Sequence, residues 1–260
     1  MPEGSVWDAG KRKKCKNLYL RGIRDGEVQE VLDNYMGDTY TQHSTGVKDG
    51  KEGFREFFED FFKRNPKRDI RIVRCLSDGP YVFLHVHQNL NDGAAQWVTT
   101  DLFRSDENGR IVEHWDVIDA YQKNENGPDP IFGEFEIQDI EKTEANKNTV
   151  RLFLTEVLQN HSMNRFDHYV SDSLIQHDRQ LGKTADDWKS FITDHAVAYD
   201  FVFKTAGQGD HVVTYSNVLT DGTAYAQFDI FRLQDGKIAE HWSNREPVPA
   251  RQELVNSGKF

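Results

Sequence analysis

The sequence predicts an α+β fold that occurs twice along the chain. Three observations carry this. Blocks of residues recur in one order, each block opens with helical spacing and closes with strand-like runs, and turn signals punctuate those runs. Helices followed by an antiparallel meander make an α+β layer pattern.

The repeat can be read residue by residue. Tyr40-Thr41-Gln42-His43 recurs as Leu174-Ile175-Gln176-His177. At the same offset Tyr35 matches Tyr169, Phe54 matches Trp188, Phe57 matches Phe191 and Phe58 matches Ile192. Asp101-Leu102-Phe103-Arg104 recurs as Asp229-Ile230-Phe231-Arg232, and Glu113-His114-Trp115 as Glu240-His241-Trp242. The shrinking offset marks loop residues lost from the second copy. The expected division is copy one at residues 1–122, a linker at 123–147, copy two at 148–248 and a tail at 249–260. Gly127-Pro128-Asp129-Pro130 and the acidic residues after it give the linker its character.

Each copy begins with an amphipathic helix. Val28, Val31, Leu32 and Tyr35 fall at helical spacing, as do Val150, Phe153, Leu154 and Val157. The Gln-His element follows. A second helix then presents Phe54, Phe57, Phe58, Phe61 and Phe62 in copy one, and Trp188, Phe191, Ile192 and His195 in copy two; these stripes read as core. Four strands follow at Ile70–Leu76, Tyr81–Leu90, Ala95–Arg104 and Ile111–Tyr121. Their counterparts are Phe201–Ala206, His211–Leu219, Thr223–Arg232 and Lys237–Arg245. Asn91-Asp92-Gly93, Asn108-Gly109, Asp221-Gly222 and Asp235-Gly236 supply the turns. A twisted sheet curling around the helices would leave a concave pocket.

Composition narrows the function classes. The chain has 260 residues, a net charge of −11 and 12% aromatic residues, so it can bury a core. The negative field argues against nucleic acid as a partner. The cluster Lys11, Arg12, Lys13, Lys14 and Lys16 reads as a solvated helix face. No apolar run is long enough to span a membrane, and no apolar stretch follows the polar Met1–Trp7 start as in a secretory signal. Cys15 and Cys75 form no metal or disulfide pattern. The expected location is the cytoplasm.

The chemistry-bearing residues cluster on the strands. Trp97, Thr99, Asp101 and Phe103 share one face, and His85, His87 and Asn89 share one face of the preceding strand. On a pocket face, burial would raise the Asp101 carboxyl and make it a proton carrier near neutrality. His87 could hold or exchange that proton, and His43 could close the pocket from the helical side. The last strand contributes either Glu113 and Trp115 or His114 and Asp116, with the second pair preferred. Candidate lining residues are His85, Trp97, Phe103, His114, Trp115, Asp116, Tyr225 and His241. The pair His85 and His87 lacks a third ligand at a telling spacing, since Asn91 and Asp92 stand where a cupin-like site wants Glu, so no metal is expected. There is no nucleophile elbow, P-loop or dinucleotide fingerprint.

The chain resembles a tandem of SnoaL-like polyketide cyclase domains, within the nuclear-transport-factor-like α+β cone superfamily. The likeness lies in Gln42-His43, Asp49-Gly50, Gly53-Phe54 with the Phe pairs, Asp101-Leu102-Phe103-Arg104, and the stretch from Gly109 to Ile118. Copy two carries Gln176-His177, Asp229-Ile230-Phe231-Arg232 and Gly236 to Trp242. The resemblance implies two cone domains and cofactor-free acid–base chemistry on a small apolar carbonyl compound, as in an intramolecular aldol condensation. It implies catalytic roles for Asp101, His87 and His43. In copy two Asp229 and His177 remain, whereas Tyr215 stands in place of His87 and Ser243 in place of Asp116. Ser44-Thr45-Gly46 lacks a proline common in such domains. The alternative is a binding or assembly module of the same fold. An intramolecular pseudo-dimer of the two copies, with possible further homo-oligomers, is expected.

Overall fold

The computed structural model describes residues 6–125 and 127–260. Residues 1–5 of the polar N-terminal stretch lie outside the described residues. The chain divides into two compact units, one of Met1–Tyr121 with Pro249–Phe260 and the other of Gln122–Val248. The expected linker therefore belongs to the second unit and the tail to the first. Ile131 is fully buried in unit two, and Gln138 and Asp210 exchange hydrogen bonds.

In unit one, helix α1 (Val6–Asn17) runs into a π-helical segment, Leu18–Arg24, and then α2 (Val28–Asn34). Strand β1 (Met36–Gln42) and helix α3 (Gly50–Arg64) follow. The meander is β2 (Arg68–Asp78), β3 (Tyr81–Leu90), β4 (Ala95–Ser105) and β5 (Ile111–Ala120). The sheet order is β1-β5-β4-β3-β2, with β1 parallel to β5 and the meander pairs antiparallel. Strand β1 occupies the stretch read from sequence only as a Gln-His element.

Unit two repeats the plan. Helix α4 (Thr143–Phe153) continues as a π-helical segment, Leu154–Gln159, and the short α5 (Phe166–Tyr169) precedes β6 (Val170–Gln176). Helix α6 (Ala185–Asp194) leads to β7 (Ala198–Gln208), β8 (His211–Thr220), β9 (Thr223–Gln234) and β10 (Lys237–Pro247). The order β6-β10-β9-β8-β7 matches that of unit one. Asp221-Gly222 and Asp235-Gly236 both have positive φ at each residue, as a tight type I′ hairpin requires.

Each sheet packs its helices on one face. In unit one the core joins Val31, Leu32 and Phe54 to Leu84, Phe103 and Ile111, and in unit two Phe153, Trp188 and Ile192 to Phe231 and Ile238. One part of the basic cluster departs from the expected solvated face. Lys11 is buried, in an ion pair with Asp8 and in hydrogen bonds to Ser77 and the Gly79 carbonyl. Burial lowers its pKa, while the neighbouring Asp8 opposes that shift. Among the described residues no helix is long and apolar enough to cross a membrane.

Candidate active site

Unit one encloses a cavity of about 350 Å³ between its helices and the sheet. Its wall is mainly apolar, with Leu18, Phe54, Phe58 and Phe103 among its residues. At the polar end stand Tyr19, Tyr40, Gln42, His114 and Asp116. Trp97 and Ile118, both part-exposed, also line the cavity.

The sheet register decides who faces this space. Antiparallel partners share a face. Asp101 pairs with Leu84 on one side and Asp116 on the other, and Phe103 pairs with His114. His114, Asp116 and Ile118 therefore share the face of Asp101, the pair preferred from sequence. His85 and His87 pair with Thr100 and Val98 and point to the opposite face. There His85 meets Arg74, and the His87 ring lies 4.7 Å from that of Tyr121. The expected Asp101–His87 pair is thus corrected: the two side chains occupy different sides of the sheet. Trp115 also points away from the cavity.

His43 departs from expectation too. Its ring stacks on Trp115 at 5.0 Å, its Nε2 lies 3.2 Å from Glu113, and its Nδ1 meets the Gly258 carbonyl. It does not close the cavity. The preceding Gln42 reaches the polar end instead, because alternation along β1 turns Gln42 inward when His43 turns out.

A hydrogen-bonded chain joins the buried groups. Gln42 Oε1 accepts the backbone N–H groups of His43 and Ser44, each at 3.0 Å. It therefore stays an acceptor, and His114 Nδ1, 2.9 Å away, must carry a proton and donate it. His114 Nε2 lies 2.9 Å from Asp101 Oδ1. Asp101 also accepts from Tyr19 at 2.7 Å and from Thr99 at 2.9 Å. Asp101 is fully buried and lies behind His114 rather than on the cavity wall. Burial pushes its carboxyl above the ordinary range, against the pull of the His114 hydrogen bond. Burial also pushes the Tyr19 and Tyr40 phenols well up, so both remain neutral donors. The ammonium of Lys259 reaches Asp116, with Nζ 3.0 Å from its carbonyl oxygen and 3.3 Å from Oδ1.

Unit two keeps the same chain without the space. Gln176 Oε1 lies 3.1 Å from His241 Nδ1, and His241 Nε2 lies 3.1 Å from Asp229 Oδ1. A tyrosine again donates to the carboxylate, but from another element: Tyr199 on β7 reaches Asp229 at 2.9 Å, whereas Tyr19 sits on the first π-helical segment. The remaining cavity measures about 20 Å³. Tyr215 pairs with Phe228 and stacks on it at 4.3 Å, on the face opposite Asp229, so it does not replace a proton partner of that carboxylate. His177 stacks on Trp242 and lies 2.7 Å from Glu240, as His43 stacks on Trp115 beside Glu113. Tyr225 lies under the Arg245 guanidinium at 4.8 Å.

Residues 18–114 match the family of the SnoaL-like domain. The match lies wholly within unit one. No curated protein matches the chain. Among solved structures, a candidate polyketide cyclase from Bacillus cereus ATCC 10987 is similar at 19% identity, with 46% of this chain and 81% of that one covered and a TM-score of 0.41. TsrD from Streptomyces laurentii is similar at 16% identity, with 43% and 89% covered and a TM-score of 0.37. An NTF2-like protein of unknown function from Cytophaga hutchinsonii is similar at 12%, with 44% and 95% covered and a TM-score of 0.36.

In unit one Asp101, His114 and Asp116 each offer a ligand atom, and these atoms lie within 4.8 Å of one another. Those of Asp101 and His114 are already engaged in the hydrogen-bonded chain, and the Lys259 ammonium supplies a cation beside Asp116. The donor chemistry therefore suits proton transfer better than metal capture. Sequence reasoning missed Tyr19, Tyr40, Gln42 and Lys259. The repeated Gln-His pair was the one available signal for Gln42, and it pointed equally to its neighbour.

Proposed function

We propose that unit one is a SnoaL-like, cofactor-independent acid–base enzyme of cyclase or isomerase type, acting on a small apolar carbonyl compound. The observation that supports this is an apolar cavity of about 350 Å³ whose polar end gathers Asp116, Tyr40 and His114 in front of buried Asp101. The substrate's hydrocarbon part fills the aromatic wall. Asp116 takes the α-proton, so the C–H electron pair passes into an enolate. Tyr40 accepts a hydrogen bond from Gln42 Nε2 at 3.2 Å and keeps its own O–H for the developing oxyanion. Asp101 and His114 hold a proton behind this wall and tune the polar end through Gln42. Asp101 is thus a positioning residue, in place of the direct base expected from sequence. The enolate carbon then attacks a second carbonyl, whose oxygen takes the proton back from Asp116, as in an aldol ring closure, or the enolate regains that proton at another carbon, as in an isomerisation.

The test is α-proton exchange of 2-tetralone in D₂O, followed by NMR. Wild type should accelerate exchange, and Asp116→Asn should remove about 10²–10⁴-fold of it. Exchange equal in wild type and Asp116→Asn would overturn the assignment. The Lys259 ammonium beside Asp116 favours a second reading, a binding site without proton transfer. Tight uptake of the ketone with no exchange above buffer would establish that one instead.

A further inference from the structure

Among the differences between the two units on the second long helix, one places a larger aromatic ring at the site. Phe54 on α3 lines the open cavity of unit one. Trp188 on α6, its partner in the repeat, lines the small remnant of unit two. The Trp188 indole stacks on His241 with ring centroids 4.3 Å apart and planes 11° from parallel. His114 has Phe103 stacked at 4.5 Å and otherwise faces open cavity. His241 has Phe231, the counterpart of Phe103, at 5.0 Å, and Trp188 in addition. Phe153 and Phe166 each approach the indole edge-to-face at 5.5 Å, so it is held on further sides.

We infer that Trp188 is a built-in occupant of a second ligand site, which keeps the Gln176–His241–Asp229–Tyr199 chain and is closed by its own side chain. The class of ligand that fits it is a flat aromatic bicycle of indole size, stacking on His241. The residue at this helix position covers the imidazole in unit two, whereas its counterpart leaves the imidazole of unit one on the cavity wall. The inference rests on reading the unit-one cavity as a ligand site, and it requires no turnover in either unit. The polar chain is present in unit two although the space is small, which fits a structural role: buried Asp229 and His241 need partners whether or not a ligand enters.

Two substitutions on the full chain test it. Trp188→Gly leaves an indole-shaped hole, and added indole should raise its melting temperature more than that of wild type. An equal or smaller rise would overturn the inference. Phe54→Trp moves the plug into unit one and decides the matter if Trp188→Gly does not fold. Binding of 2-naphthol, followed by its fluorescence, should weaken at least tenfold in Phe54→Trp with the melting temperature held. Unchanged naphthol affinity would overturn the plug. If wild type itself fails to take up 2-naphthol, the reading of unit one falls, and the indole rescue still decides the case of Trp188.

Discussion

The ammonium of Lys259 lies 3.3 Å from Oδ1 of Asp116, and both side chains are almost wholly buried. A buried pair of this kind is costly to break one-sidedly, because the remaining charge stays desolvated. Lys259→Met should destabilise unit one by about 3 kcal/mol. Urea unfolding of the single variants and of Lys259→Met with Asp116→Asn checks this: the double variant should recover part of the loss. A strictly additive double variant would mean that the contact carries no energy.

The Asp101 carboxyl is raised by burial, which sets the sign of a pH effect. A raised carboxyl favours the protonated folded state. Its contribution is complete below the unfolded value, about 3.9, and is lost as pH climbs through the higher folded value. Asp101→Asn should remove that part of the decline. Comparison of wild-type and variant unfolding free energies from pH 4 upward gives the difference. Parallel curves would show that Asp101 is not raised.

The phenols of Tyr19 and Tyr199 each donate to a buried carboxylate. Tyr19→Phe should cost about 1–3 kcal/mol by leaving Asp101 short of a donor. Tyr199→Phe should cost at least as much, since the Tyr199 hydroxyl also accepts from Gln227 Nε2 at 2.9 Å. Thermal unfolding of both variants tests the order, and a negligible loss in Tyr199→Phe would refute it.

Gly53 in α3 sits under the Lys48 carbonyl, and a Cβ there would overlap that oxygen. Gly53→Ala should therefore destabilise by about 1–3 kcal/mol, as overpacking does. Calorimetry of this variant beside wild type tests it. An unchanged melting temperature would show that the loop ahead of α3 yields freely.

How much of this was legible in the sequence depends on where alternation was visible. The duplication, the element order and the hairpin turns were written in recurring residues and in Asp-Gly pairs. The polar set on β5 was readable as one of two faces. The face of β3 was not, because that strand is buried on both sides through Val82–Val86, which silences the period-two signal. His87 was accordingly assigned to the wrong side. Tyr19 and Tyr199 do the same work from non-equivalent elements, so aligning the copies could not reveal them. Lys259 acts across a long stretch of chain, with no local pattern to mark it.

The return of Pro249–Phe260 to unit one has a consequence for biosynthesis. Domains usually fold as they emerge, N-terminal first. Here the wall that carries Asp116 gains its cation only after every residue of unit two has left the ribosome. The earlier half must wait, incompletely braced, while the later half is translated.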